Sequence, residues 1–162
     1  MRRLRGPPLI RFELLRVSLT AAALSLAILA GCGGSREPLA HSCVATDQKF
    51  IRAASIDVIA FDELAGDFRS GKVGAEEIAA EAFDAAARVV RTEPKDPALR
   101  QAQKYLDAMF TEYGEAVILN AKGKDSGERM FRAYGLANFA RDVLADAQPA
   151  LQREGCDVTA LL

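Results

Sequence analysis

From Ile51 onward the apolar positions recur at alternating steps of three and four residues, which places them on single stripes of α-helices. Ile51, Ala54, Val58, Phe61, Ala65 and Phe68 make the first stripe, and Gly71 and Gly74 end it. A second segment runs from about Ala75 to Thr92 with Ile78, Ala82, Ala85 and Val89 on one face, until Pro94 and Pro97 forbid its continuation. Leu99, Ala102, Leu106, Met109, Tyr113 and Ala116 form the third, flanked by Phe110 and Val117 and closed by Gly123. Met130, Ala133, Ala137, Ala140, Leu144, Ala147 and Leu151 form the fourth. Asp96 is placed to accept from free first-turn amides and Pro97 suits the first helical position. Asp125 with Glu128 resembles a capping box, and Pro149 should kink the last turn or end it early.

Short connections between long amphipathic helices favour antiparallel neighbours. The expected fold is therefore all-α, an up-down-up-down four-helix bundle over residues 43–162. The second helix, with about 18 residues against about 25 in the others, falls some 10 Å short at 1.5 Å per residue. Either the loop containing Val73, or Thr92 to Lys95, packs over that gap, or a ligand cleft or partner groove remains near the bundle end.

The pattern ahead of the helices is different. Val17 to Ala30 carries no charge, follows Arg2, Arg3, Arg5, Arg11 and Arg16, and precedes Gly33-Gly34-Ser35. That run is shorter than the roughly 20 residues needed to span a membrane. A basic segment, an apolar segment and a small-residue pair make an export signal, with an uncleaved anchor as the rival. Leu29-Ala30-Gly31-Cys32 closes it, and this order resembles the lipobox of bacterial lipoproteins. The resemblance implies a diacylglyceryl thioether on Cys32, cleavage before it, and a further acyl chain on the new amino terminus. Residues 1–31 are then a cleaved signal and 32–42 a lipid-anchored flexible tether. Two or three acyl chains hold a protein firmly where one does so only marginally. The expected location is the extracytoplasmic face of the cell membrane, or the outer membrane of a diderm organism. Arg5 stands where a twin-arginine motif wants an apolar residue, which favours general secretion.

Without residues 1–31 the chain keeps 16 basic and 21 acidic side chains, a net charge of about −5. Such a balance offers no electrostatic footprint for nucleic acid or anionic lipid. Cys43 and Cys156 remain, and outside the cytoplasm an even pair reads first as a disulfide. A metal pair would want more Cys or His, and two free buried thiols are the third option. Cys43 precedes the first helix and Cys156 follows the fourth, so an even helix count brings them together. With three helices they would lie about 35 Å apart. A bridge and four helices thus imply each other.

Chemical signatures are sparse. No Glu-x-x-His pair or haem-attachment motif is present, and His41 is a lone linker histidine, so no cofactor or metal is expected. Glu77, Glu81 and Asp84 share a helical face with Arg88; Glu112 pairs with Glu115; Asp62, Glu63 and Asp67 crowd the end of the first helix. Such spacings are the ordinary solvated face of an amphipathic helix. Ser55, Ser70 and Ser126 lack a nucleophile elbow, and Gly71-Lys72-Val73-Gly74 and Lys122-Gly123-Lys124 are too short to cradle phosphate. Tyr113 and Tyr134 lie near the stripes and Tyr105 towards the edge, with Asn120 or Asn138 as hydrogen-bond partners. Phe50, Phe83 and Phe139 fall off the seams. They belong to a widened core face or, if exposed together, to a partner surface.

These features favour a non-catalytic interaction or envelope-associated module rather than an enzyme, with an envelope protein as a possible partner. The alternative is a small-molecule binding protein that uses a groove in the bundle. An exposed Phe patch points to the first, and an apolar cavity with one or two tyrosine hydroxyls to the second.

Overall fold

A computed structural model describes residues 43–162; the export signal, the lipobox with Cys32, the tether and His41 lie outside the described residues. Four helices follow one another: α1 (Ala45–Arg69), α2 (Ala75–Val89), α3 (Pro97–Ala121) and α4 (Gly127–Arg153), then a short 3-10 turn at Thr159–Leu161. No strand occurs among the described residues, and the all-α four-helix expectation holds. α1 packs on α2, α2 on α3 and α3 on α4. The predicted stripes form the core: Ala54, Ile78, Leu99, Phe110 and Leu144 are buried almost completely. Phe50 belongs there too, because α1 also buries Asp47, Phe50 and Asp57 beside its main stripe.

Cys43 and Cys156 are joined by a disulfide, with their Cα atoms 4.8 Å apart. Four helices return the chain to its starting end, so the geometry a bridge demands is met without distortion of the topology.

The helix ends show how the turns are made. At the end of α4, Gly155 adopts φ 78°, which lets the Gly155 and Cys156 amides turn back to the carbonyls of Gln152 and Leu151. This glycine-terminated stop delivers Cys156 to its partner. Gly71 and Gly123 close α1 and α3 by the same pattern. α2 has no such glycine and stops at Val89, earlier than Thr92. The residue before Pro94 is excluded from helical backbone, and the Gln103 side chain on α3 takes over the stop by donating to the Val89 and Thr92 carbonyls, both at 2.8 Å.

The connection from α2 to α3 makes up the missing length of α2. Pro94 is fully buried, and the Asp47 carboxylate in the first turn of α1 accepts from the Lys95 amide at 2.5 Å. The Thr92–Lys95 segment therefore covers the gap at this end, while a cavity of about 320 Å³ lined by Ala75, Glu76, Ile118, Ala121 and Lys122 lies at the start of α2.

Two local expectations are corrected. Asp96 caps α3 as foreseen, accepting from Ala98 and Leu99. Asp125, by contrast, accepts from the Gly127 amide, and Glu128 pairs with Arg132, so no reciprocal capping box forms. Pro149 does not end α4, which continues to Arg153. The carbonyl that Pro149 leaves without a donor belongs to Ala145, on the exposed face, where water satisfies it.

Candidate functional site

α1 and α4, the first and last helices, do not pack closely along their lengths. Between them runs an apolar trough of two adjoining cavities, each of about 180 Å³, which share Val58, Met109 and Ala137. The cause lies in side-chain size. Phe61 on α1 stands edge-on to Phe110 and Tyr113 of α3, with ring centroids 5.1 and 4.9 Å apart. These rings hold α1 on α3. The residues α4 offers to the space are Ala133, Ala137 and Ala140, too short to fill it. At the disulfide end, Leu144 and Leu161 line the trough, the latter supplied by the turn after Cys156.

Polar groups stand at both ends, Asn138 and Arg141 beside these leucines and Tyr113, Arg69 and Asp62 at the other. Tyr113 is 8% exposed and lines the trough, yet its hydroxyl makes no hydrogen bond among the described residues. Asn120 and Asn138, its expected partners, lie at the surface and do not reach it. Burial pushes the Tyr113 hydroxyl above its ordinary value; the neighbouring Tyr134 adds to this and Arg69 opposes it. It therefore stays protonated through the neutral range and is available as a donor. Arg69 and Asp62 stand on the rim, and neither has an ion-pair partner among the described residues.

α4 also exposes three aromatic rings, Phe131, Tyr134 and Phe139, each more than half exposed, with Tyr134 beside the trough. The trio singled out by sequence does not assemble. Phe50 is in the core, Phe83 lies over Gly114, and Phe139 leans on Tyr105 with centroids 5.7 Å apart. Phe131 was missed because it stands one residue after the apolar stripe position Met130, where periodicity alone offers no reason to mark it.

Some members of the carboxylate clusters are held in ion pairs. Arg88 donates to Glu81 at 2.5 Å and to Asp57 at 2.7 Å, joining α2 to α1. Burial disfavours its charge, but the bonds to Glu81 and Asp57 outweigh that and raise its proton affinity. Arg129 binds both Glu112 and Glu115, and Arg132 reaches Glu112 at 3.3 Å, tying α3 to α4. Lys72 holds Asp67 at 2.7 Å. Asp57 is the member sequence reasoning passed over, a buried acid whose distant partner lies on the next helix. Ser55 and Ser70 donate to the backbone carbonyls of Ile51 and Asp67. Among the described residues no group of three or more His, Cys, Asp or Glu is arranged to hold a metal ion, and no helix is long and apolar enough to cross a membrane.

No protein-family model, curated protein or solved structure matches this chain. The functional reading accordingly rests on the trough and its lining.

Proposed function

We propose that this chain is a non-catalytic binding module held by lipid on Cys32 at the extracytoplasmic face of a bacterial membrane, with the α1–α4 trough as its binding site. The observation that carries the reading is Tyr113, whose hydroxyl has no hydrogen-bond partner among the described residues and borders an apolar space. Pockets of this makeup, apolar walls with a few placed polar groups, are the usual form of small-molecule sites. The disulfide suits an oxidising compartment and supports the export reading. A second reading, contact with an envelope protein, is supported by the exposed aromatic rings of α4, since patches of such rings on soluble surfaces mark interaction sites.

The helices and the disulfide lie within residues 43–162, so the exported form of residues 33–162 is the material to test. Native mass spectrometry should find a non-covalent mass that leaves on denaturation, and Ala137→Trp, which fills the trough, should lose it. Bare protein in both forms overturns the small-molecule reading and turns attention to the α4 aromatics. Anchoring is tested separately with the full chain: palmitate labelling should be abolished by Cys32→Ser, and a wild type that takes up no label removes the lipid from the proposal.

A further inference from the structure

We infer that the α1–α4 trough binds a single-chain fatty acid, with its carboxylate at Tyr113 and Arg69 and its hydrocarbon chain running towards Leu144 and Leu161. This rests on the binding-module reading and names the ligand class for the same site.

Shape excludes most other occupants. Each cavity alone is smaller than an ordinary ligand pocket of about 300 Å³, and joined at Val58, Met109 and Ala137 the two reach that size. The two cavities follow one another along α4, the first against Ala133 to Ala137 and the second against Ala137 to Leu144. Ala133 to Leu144 on α4 spans about 16 Å at 1.5 Å per residue. A partner helix, about 10–12 Å across with its side chains, does not fit inside cavities of about 180 Å³ each. A flexible hydrocarbon chain does. The walls agree, since Val58, Phe61, Met109, Phe110 and the α4 alanines offer only carbon and sulfur surface along the middle.

The polar groups give the ligand a direction. Tyr113 presents a protonated hydroxyl at one end, and Arg69, on the last turn of α1, supplies an unpaired positive charge beside it. The two are close enough for Arg69 to influence the hydroxyl's acidity, whereas Asp62 does not figure among the groups that do. Asp62 lies two helical turns before Arg69 along α1, and the Arg69 guanidinium reaches back to Gly66, one turn from Asp62. A donor and a cation together call for an anionic oxygen acceptor, and charge-assisted hydrogen bonds are the stronger kind. At the opposite end Leu106, Leu144 and Leu161 close the trough with apolar surface, where a methyl terminus belongs. Asn138 and Arg141 line the flank of this lower half. They are the only polar residues there among the described residues, and both reach the surface.

The test is a titration of carboxyl-labelled [13C]dodecanoate into exported residues 33–162, followed by NMR, with dodecanol as the uncharged control. Saturable one-to-one binding with a displaced carboxyl resonance is expected. Tyr113→Phe should weaken dodecanoate about tenfold or more, the loss of a hydrogen bond to a charged group. Arg69→Gln should weaken dodecanoate while leaving dodecanol unchanged. Ala137→Trp should abolish both, with its thermal midpoint recorded so that unfolding is recognised; Tyr113→Phe retains the ring packing and serves where the larger residue is not tolerated. Absence of saturable binding overturns the inference, as does binding that neither Tyr113→Phe nor Ala137→Trp changes. If dodecanoate fails while another mass co-purifies and is lost in Ala137→Trp, the fatty acid falls and the binding-module reading stands. If nothing occupies the trough in either experiment, both fall.

Discussion

α2 and α4 both turn alanines inward, yet one seam closes and the other stays open. On α2, Ala79, Ala82 and Ala86 are buried, and the facing helix α3 offers Gly114, where a built Cβ would stand 3.0 Å from the Phe83 ring and 3.3 Å from the Ala79 carbonyl oxygen. Nothing bulky intervenes, so the backbones approach and dispersion contacts are complete. On α4, Ala133, Ala137 and Ala140 face α1 across the side chains that α3 places between them. There Phe61, Phe110 and Tyr113 stack edge to face and set the spacing, and the alanines leave a trough. Small residues permit close approach. Whether it happens depends on what the third helix interposes.

The largest test of this contrast removes the staple. α1 and α4 have little mutual packing, so the Cys43–Cys156 bridge, spanning a sequence separation of 113, is what holds their ends together. Cys43→Ser with Cys156→Ser should destabilise by about 4 to 5 kcal/mol in the chain-entropy model. At this chain length that lowers the thermal midpoint by roughly 15 °C. Hydrogen exchange should show the start of α1 and the end of α4 losing protection while the α2–α3 seam keeps it. Uniform loss across all four helices would mean that the two seams do not differ in this way.

Next comes the ion pair on the closed side. Arg88→Met leaves the buried Asp57 carboxylate without a partner and should cost about 3 kcal/mol. Adding Asp57→Leu should recover most of that, because an apolar pair of similar volume needs no compensation. A double-mutant cycle by denaturant unfolding measures the coupling; additive losses would show that the pair does not act as a unit.

Enlarging a small residue at each seam should then give opposite signs. Gly114→Val drives new atoms into Phe83 and the α2 backbone and should cost about 2 kcal/mol. Ala137→Leu fills part of the trough and should stabilise by about 0.5 to 1 kcal/mol. Urea midpoints of the two variants decide it, and a shift in the same direction for both would remove the distinction between the seams.

The smallest effect concerns Asp107 on α3, whose carboxyl burial pushes above the usual range. A raised carboxyl value in the folded state means that ionisation opposes folding. Stability from this group is greatest below its unfolded value and declines as pH rises through the folded one. Asp107→Asn should therefore stabilise slightly at pH 7, by less than about 0.5 kcal/mol after solvent screening. The gain should vanish when thermal midpoints are compared near pH 3.

Much of the architecture was legible in the chain. The three-four spacing located every helix, Asp96 marked a real start and the terminal glycines real stops, and the cysteine positions agreed with an even helix count. Errors came where a distant group overrode a local signal. α2 ends early because Gln103, on the following helix, caps it. α4 passes Pro149 because the affected carbonyl faces water. The candidate site was half legible: Tyr113 and Tyr134 were singled out, but a cleft was weighed only beside the short helix, as the alternative to a packed loop, and Pro94 fills the gap there.

What the chain determined by itself is everything that depends on neighbours in sequence. Helical periodicity, capping and the glycine turns all stem from spacing along one strand of peptide. Tertiary structure alone decided which alanine stripe would close and which would not. That outcome depends on volumes contributed by three helices at once, and no local pattern carries the size of a side chain that arrives from a different helix. The open trough, the unpartnered Tyr113 hydroxyl and the pairing of Asp57 with Arg88 all belong to this second class.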